Sequence, residues 1–471
     1  MTVQGNVQKR NPRLERHAVI IGGGISGLSS AFFLSQRAAQ EHFPLKITVL
    51  EATDRFGGVL RTLTHGDLRM EAGADTFYAG QNDTTDLCCK LGLQKDVIEA
   101  PACFRRFFGL KNKKLYSMPG LSESFSDIFR FLYSPRLSLL AKCRMLGEPF
   151  IPRRREDKDE SLASFIRRRL GQGFYQEVAK PLAQGVFMMD PERLSLEALF
   201  PRLQQAEKTH GSLAGSFRDK TSWRKEKDPG EFFTLKHGLE ELVQALVREL
   251  GECELRRSAP VRQCAYNTAW EIYMEDGTVL RTDILGLAMN ACDSSKLLFT
   301  AAPELSHALS NVRYDSIAAV NFIYRAEDVP FRGLDSGFLV PMDSERYPFS
   351  SLKWLGKSPD GKYLLMRAFL SEAMLPKIFR ESNETLKQKI QTFMKDFLSV
   401  YAKPLFTDIE RYPRALPQYE VEHGGRVEQI EKKSLQYPGL FLTGNGFHGF
   451  GITDCIRRAR VSVSGIQFAI F

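Results

Sequence analysis

Glycine-rich turns near both ends of the chain are the residues best suited to hold a nucleotide. The apolar run 17–21 opens into the turn Gly22–Gly27, and a second glycine-rich segment spans Gly444–Asp454. A strand that enters a glycine turn and then a helix lets backbone N–H groups and the positive helix end meet a pyrophosphate. A second such turn predicts a ligand long enough to contact both, which indicates a dinucleotide.

The residues after the first turn complete a strand–helix–strand unit. Residues 28–40 have a helical pattern, and Leu45–Leu50 is a short apolar strand that ends at Glu51. A carboxylate at the tip of the second strand of a dinucleotide fold lies where a ribose hydroxyl binds. We therefore expect Glu51 to contact the ribose.

A further glycine pair follows this unit. Gly57 and Gly58 lie between Arg55 and Arg61. Paired glycines let backbone approach a ligand closely, and an arginine offers a fork of donors to a phosphate. We expect Gly58 and Arg55 to belong to the same nucleotide site.

Composition limits the class of protein. With 471 residues, 43% of them apolar, the chain is long enough for two or three domains. It contains no run of about 18 apolar residues and begins with a polar, basic segment, so neither a spanning helix nor a secretory signal is expected. Eight cysteines without a C-x-x-C pair predict no metal site. We expect a cytoplasmic location or a peripheral one on the cytoplasmic membrane face.

The positive charge is concentrated in one segment. Residues 101–170 contain 16 Lys and Arg against 7 Asp and Glu, a surplus of nine that equals the formal charge of the whole chain. Mixed basic and apolar stretches suit contact with anionic lipid, and an ordinary helical subdomain with a solvated cationic face is the alternative. Nucleic acid is not expected, because no recognition motif accompanies the charge.

The order of the elements predicts an α/β fold with a discontinuous Rossmann-like dinucleotide domain. That domain takes residues 1–85, 230–300 and 425–471. A mixed α+β substrate domain takes residues 86–110, 200–229 and 301–424. A mainly helical subdomain, for which membrane association is one interpretation, takes residues 111–199.

Four motifs make the chain resemble the protoporphyrinogen oxidase family, which comprises oxygen-dependent FAD enzymes related to the amine oxidases. The most specific is Lys180–Pro201, which is similar to the family run PL-x-x-GV-(Y/F)-x-x-D-x-x-x-LS. The motifs Glu207–Leu213, Phe233–Leu242 and Gly449–Ile456 are similar as well. The resemblance covers residues 17–465.

The resemblance implies one non-covalent FAD per chain. Together with Arg55, Gly58 and Gly444, the expected cofactor-binding residues are Gly22, Gly23, Gly24, Ile25, Ser26, Gly27, Glu51, Ala52, Val59, Gly73, Ala74, Asp75, Thr76, Val261, Tyr412, Phe450, Gly451 and Ile452.

The resemblance also implies a substrate pocket. Arg106 matches a family arginine that holds a propionate, and a bidentate fork suits a carboxylate. Leu339 and Phe369 correspond to apolar residues that clasp a pyrrole ring.

The implied reaction oxidises protoporphyrinogen IX to protoporphyrin IX with O2 as acceptor and H2O2 as by-product, a late step of haem biosynthesis. Electron-rich pyrroles stabilise the developing cation, so we name no acid–base residue. The alternatives are a coproporphyrinogen III oxidase of the same family, an amine oxidase and a flavin-binding scaffold without turnover. A homodimer and a contact with ferrochelatase are further expectations from the family.

Overall fold

The computed structural model describes residues 15–78, 82–100, 106–111, 114–119, 132, 137–156, 158–216, 232–330, 337–339, 347, 349–358, 360–371 and 380–468. Within these residues the chain builds an α/β fold around two large sheets and one helical region.

The first large sheet is parallel and has five strands. In spatial order they are Glu254–Arg256, Leu45–Leu50, Arg16–Ile21, Ile284–Leu287 and Leu440–Leu442. Parallel strands buried on both faces read as nearly continuous apolar runs, as Ala18–Ile21 does. The helices Ile25–Gln40, Glu240–Glu249 and Ile452–Ser464 cover one face, where they share a core with the strands.

An antiparallel layer covers the other face of this sheet. Its three strands are Val261–Tyr266, Trp270–Met274 and Val279–Thr282. It packs with the helices Ala291–Leu298, Pro303–Ser310 and His423–Ser434 around the fully buried Trp270. The strands of both layers lie within residues 16–50, 254–287 and 440–442.

The second large sheet has seven strands. In spatial order they are Phe406–Pro417, Tyr314–Arg325, Tyr363–Ser371, Ser351–Lys357, Gly337–Leu339, Arg106–Lys111 and Lys114–Pro119. The helix Asn383–Leu398 packs on one face against a core of aromatic and aliphatic side chains. The other face is turned toward the dinucleotide domain, because Arg367 on this sheet hydrogen-bonds Gly73.

A helical region spans residues 137–216. Its elements are Leu139–Leu146, Glu148–Phe150, Leu162–Leu170, Gln172–Phe174, Tyr175–Ala179, Lys180–Leu182, Ala183–Phe187, Leu196–Leu199, Pro201–His210 and Leu213–Ser216, of which Tyr175–Ala179 and Ala183–Phe187 are π-helical. Arg169 and Glu148 form a fully buried ion pair in it, and Glu148 also accepts N–H bonds from Leu213 and Ala214.

The described boundaries differ from the expected ones in two places. The strand Lys114–Pro119 belongs to the seven-stranded sheet, although we placed residues 111–199 in the helical subdomain. The helix Pro201–His210 packs into the helical core, because Leu203 and Ala206 are buried there. Which sheet or core such a short element joins depends on residues distant in the chain, and local sequence periodicity does not show this.

Smaller elements complete the described chain: Thr62–His65 with Leu68–Glu71, Phe77–Tyr78 with Phe232–Leu235 and Val97–Glu99, and the helical segments Asp83–Lys90 and Ala326–Asp328. Across the described residues, every helix is too short or too polar to cross a bilayer.

Candidate flavin and substrate site

The first glycine turn is held tightly between strand and helix. Gly22 has a φ of +109°, and a Cβ there would meet the carbonyl of Ala288. A Cβ on Gly27 would likewise collide with the carbonyl of Gly22. Only glycine permits this positive φ and this close packing of helix against strand, so both positions require the residue that the sequence has.

The helix Ile25–Gln40 presents its amino end to a cavity. Gly24, Ile25 and Ser26 line that cavity. No side chain caps this amino end, and its first turn has no acidic residue. The free N–H groups and the helix dipole there suit a pyrophosphate.

Glu51 lies at the cavity edge beside the turn. Its Oε2 accepts a hydrogen bond from the Gly23 N–H at 2.8 Å, and its Oε1 accepts from the N–H of Thr53 at 2.8 Å and from the Thr53 hydroxyl at 2.7 Å. Glu51 also lines the cavity. A carboxylate acceptor fixed in this position suits a ribose hydroxyl.

The second glycine pair packs on the first turn. Gly57 donates its N–H to the Gly23 carbonyl at 2.8 Å, and Gly58 and Val59 line the cavity. The Arg55 guanidinium donates to the carbonyls of Phe56, Gly58 and Leu60. The Arg55 side chain therefore stabilises its own loop by these hydrogen bonds, and Arg55 is not among the residues that line the cavity.

Residues 73–76 form the next part of the wall. Gly73, Ala74, Asp75 and Thr76 line the cavity. Arg367 donates from Nη1 to the Gly73 carbonyl and to Asp75 Oδ2, both at 2.9 Å. This fully buried arginine fixes the wall to the seven-stranded sheet.

The carboxyl-terminal loop closes the cavity with Gly444, Phe450, Gly451 and Ile452. Tyr419 supports this loop, since its hydroxyl donates to the Asn445 carbonyl at 2.7 Å and accepts from the Gly449 N–H at 3.0 Å. His423 stacks on Tyr419, and its Nε2 is 3.0 Å from the Phe447 carbonyl. Burial lowers the pKa of His423 to about 4, so the ring is neutral and donates this bond.

Tyr412 also lines the cavity, and its hydroxyl is placed to hydrogen-bond a ligand there. Its hydroxyl is buried and has no hydrogen-bond partner among the described residues. Burial raises its pKa to about 12, so the phenol is neutral. A buried hydroxyl without a partner on a cavity wall suits a bound group with polar edges, such as a flavin.

Of the two expected substrate residues whose side chains the structure describes, Phe369 lines the cavity and Leu339 does not. Leu339 is buried beneath the helical region against Gly185 and Leu182. Arg106 opens the strand Arg106–Lys111, and its side chain lies outside the part of the chain that the structure describes.

The structure gathers most of the expected residues around one cavity of about 650 Å³, in the range of ligand sites. Those that line it are Gly22, Gly24, Ile25, Ser26, Glu51, Gly58, Val59, Gly73, Ala74, Asp75, Thr76, Phe369, Tyr412, Gly444, Phe450, Gly451 and Ile452. The expected residues that are not among its described lining residues are Gly23, Gly27, Ala52, Arg55, Val261 and Leu339. Val261 pairs with Met274 in the antiparallel layer.

Sequence reasoning missed Met188, Lys353 and Arg414, which also line the cavity. Met188 and Arg414 have φ values of +53° and +48°, a left-handed backbone that is unfavourable for side-chain-bearing residues. Strained residues cluster at functional sites, but a methionine or an arginine in a sequence does not indicate a left-handed backbone. Strand alternation around Lys353 was the one usable signal.

Comparisons with known proteins agree with this geometry. The model of the family described as flavin containing amine oxidoreductase matches residues 25–464. A coproporphyrinogen III oxidase of Bacillus subtilis is 28% identical over 97% of this chain and 99% of its own. A protoporphyrinogen oxidase of Homo sapiens is also 28% identical, over 96% of this chain and 99% of its own. A crystal structure of an Exiguobacterium protein assigned as a protoporphyrinogen oxidase superposes with a TM-score of 0.82 at 25% identity, covering 96% of this chain and 98% of the other.

Proposed function

Because the chain belongs to the flavin-containing amine oxidoreductase family, we propose that it is an FAD-dependent porphyrinogen oxidase that converts protoporphyrinogen IX to protoporphyrin IX. The observation that carries this proposal is that the glycine turns and an apolar wall with Phe107, Phe187 and Phe369 line the same cavity. Nearly full-length similarity to porphyrinogen oxidases supports the substrate class.

FAD fits the residues that are present. The uncapped end of the helix Ile25–Gln40 would hold the pyrophosphate, Glu51 the ribose, and residues 73–76 with Tyr412 the ring system. The chemistry that bound FAD supplies is acceptance of a hydride from a methylene bridge and return of the electrons to O2 as H2O2. Cys455 lines the cavity as a buried thiol whose pKa burial raises to about 12, which disfavours a thioether and supports non-covalent binding.

The chain's own contribution is orientation and exclusion of water. Phe107, Phe369 and Phe450 give the cavity apolar surfaces against which a macrocycle can lie. Asp75 is ion-paired with Arg367, and Glu51 accepts three hydrogen bonds, so neither carboxylate is arranged as a general base. A substrate that stabilises its own developing cation needs positioning more than proton transfer.

Coproporphyrinogen III is the second candidate substrate, because this chain is 28% identical both to a coproporphyrinogen III oxidase and to a protoporphyrinogen oxidase. The two substrates differ in their number of propionates, so the cations around the cavity decide between them.

The experiment incubates purified, FAD-loaded protein with each porphyrinogen under air and records porphyrin fluorescence, O2 uptake and H2O2. Protein freed of flavin gives the background of spontaneous oxidation, and simple amines test for an amine oxidase. Porphyrin formation no faster than this background with both substrates would refute the proposal. Binding of flavin without any turnover would indicate the scaffold instead.

We also propose peripheral contact with an anionic membrane on its cytoplasmic side. Leu139, Leu140, Leu146 and Phe150 are each at least 60% exposed, and they occupy one short stretch of the helical region. Exposed Arg153 and Arg155 follow directly. Clustered apolar side chains next to basic ones suit an interfacial contact with anionic lipid. The homodimer and the ferrochelatase contact stay predictions.

A further inference from the structure

We infer that the thioether of Met188 is oxidised to the sulfoxide by the H2O2 that the enzyme forms, because Met188 lies where peroxide leaves the flavin cavity. This inference rests on the proposed oxidase function, of which H2O2 is the by-product. It assigns a modification site, and with it an exit route into a second cavity.

The second cavity has a volume of about 700 Å³ and lies beside the flavin cavity. Among the described lining residues, Met188 alone is common to both cavities. Tyr419 provides a further link, since it lines the second cavity and its hydroxyl donates to the carbonyl of Asn445, which lines the flavin cavity. The two cavities therefore meet at the Met188 side chain.

The second cavity is polar, and its charges nearly balance. Three cationic and four acidic side chains belong to its described lining. Glu420, one of the acids, is shared by Arg193 at 2.7 Å and Arg313 at 3.5 Å. Such a wall gives no strong preference for an ion, so it suits a small neutral molecule that both donates and accepts hydrogen bonds, as H2O2 and water do.

Gln184 offers a hydrogen-bond partner to such a molecule. It lines the second cavity, it is only 8% exposed, and its side-chain amide has no hydrogen-bond partner among the described residues. Buried polar groups are normally paired, so an unpaired amide on a cavity wall indicates a bound polar molecule. Peroxide that passes Met188 can therefore exchange hydrogen bonds with Gln184.

Exposure separates Met188 and Met289 from the other methionines that the structure describes. These two are partly exposed, and both line the flavin cavity. The others are at most 5% exposed: Met70, Met145, Met189, Met274, Met366 and Met394. A buried thioether is out of reach of a dissolved oxidant, so peroxide formed in the cavity meets two sulfur atoms. Of the two residues, Met188 is the one that also lines the second cavity.

The backbone fixes Met188 at this position. Met188 directly follows the π-helical segment Ala183–Phe187, and its φ is +53°. A left-handed backbone at a residue other than glycine persists only where the surrounding structure holds it, and such strain clusters at functional sites. π-Helical turns are also frequent at functional sites. The fold therefore imposes the place of this side chain between the two cavities.

The oxidation is a two-electron transfer of oxygen to sulfur. A lone pair of the Met188 sulfur attacks one peroxide oxygen, and the S–O bond forms as the O–O bond breaks. The proton on the transferred oxygen passes to the departing hydroxide, which leaves as water. Sulfur is oxidised and peroxide is reduced, with one H2O2 consumed per sulfoxide. The product places a polar oxygen on the flavin cavity wall, so activity should decline as turnovers accumulate.

The test generates H2O2 inside the protein in two ways, while catalase destroys the peroxide that reaches the solvent. In the first, FAD-loaded protein oxidises each porphyrinogen under air. In the second, bound FAD is reduced by light under nitrogen without substrate and then reoxidised by air, over repeated cycles. Mass spectrometry of the tryptic peptides 170–193, with Met188 and Met189, and 282–296, with Met289, locates the added oxygen.

We expect sulfoxide to accumulate at Met188 in both experiments despite the catalase, roughly fivefold faster than at Met289, while Met189 stays reduced. Protein kept under air with oxidised FAD and without reductant gives the blank. Met188→Leu has a similar apolar volume without a sulfur atom, so it should lose less activity per turnover than the parent protein. Met189→Leu, at the buried neighbouring position, is the matched control and should decline like the parent protein.

A reduced Met188 after many cycles would overturn the inference, and so would equally fast oxidation of Met289. Loss of the Met188 sulfoxide on addition of catalase would also overturn it, because the oxidant would then come from the solvent. If neither porphyrinogen is oxidised, the proposed function fails. The light-driven cycles still test Met188 separately, since they need no substrate.

Discussion

Arg367 Nη1 lies 2.9 Å from Asp75 Oδ2, and this contact joins the seven-stranded sheet to residues 73–76, which line the cavity. The two residues are 292 positions apart in the chain. Arg367 is fully buried, and it also donates to Gly73 and Asn321. The two halves of the site are therefore positioned by one guanidinium.

Replacing Arg367 with Met should destabilise the protein and loosen the cofactor. Removal of one partner from a buried ion pair costs about 3–5 kcal/mol, because the other charge is left uncompensated. We expect a lower Tm and less FAD per chain after gel filtration, measured by thermal unfolding and by flavin absorbance. Arg325→Met is the control, since Arg325 lies on the same sheet but is 59% exposed. Equal losses in both variants would contradict a special role for the pair.

Gly24→Ala should remove flavin binding and leave the fold intact. The nearest atom to a Cβ on Gly24 is the Gly58 Cα at 3.9 Å, an ordinary contact. The φ of Gly24 is −76°, which alanine adopts freely. The added methyl group would instead occupy the space where the pyrophosphate is expected.

The measurement for Gly24→Ala is flavin content together with the Tm of the flavin-free protein. The free energy of unfolding without flavin should change by less than about 1 kcal/mol. Gly424→Ala is the control, since a Cβ there meets nothing within 4 Å and the residue lies outside the cavity. Full retention of FAD by Gly24→Ala would remove the pyrophosphate assignment.

Burial of His423 should make the free energy of unfolding decrease at acidic pH. Burial is the main cause of its low pKa of about 4, Arg426 and His448 lower it further, and Asp159 and the Phe447 carbonyl oppose them. Because the folded pKa is below the unfolded value of about 6.5, the folded state binds fewer protons. The contribution of neutral His423 to the free energy of unfolding is complete above pH 6.5. As the pH falls from 6.5 to 4, this contribution decreases by about 3 kcal/mol.

Denaturant unfolding at a series of pH values checks this prediction. The variant His423→Gln keeps a donor for the Phe447 carbonyl but cannot titrate, so its stability should fall less steeply between pH 6.5 and 4. His307→Gln is the control, because His307 is exposed and is not among the groups that shift the pKa of His423. Identical slopes for His423→Gln and the parent protein would contradict the assignment.

The sequence predicted the α/β fold class and the family, and both are confirmed. It succeeded where chemistry restricts the residue type, as at Gly22 and Gly27, whose positions admit no side chain. It could not place Lys353 on the cavity wall or Arg367 beside Asp75, because these positions depend on contacts between segments that are distant in the chain. Leu339 shows the same limit, since an apolar residue looks alike whether it lines a cavity or packs behind one.

The exposed apolar stretch gives a prediction for membrane contact. Leu140, in the helix Leu139–Leu146, is 82% exposed, and Phe150, at the end of the short helix Glu148–Phe150, is 88% exposed; basic residues flank them. The double variant Leu140→Glu with Phe150→Ser should lose most binding to vesicles that contain anionic lipid, because it removes buried apolar area and adds a repelled charge.

Flotation with phosphatidylserine-containing vesicles at low and high salt measures this contact. Parent protein should float best at low salt, since screening weakens the basic contribution. Leu435→Glu is the matched control, because Leu435 is 85% exposed but lies outside this stretch. It should float like the parent protein. If parent protein stays with the unbound fraction at low salt, or if Leu435→Glu is lost as fully as the double variant, the stretch is not the surface that meets the lipid.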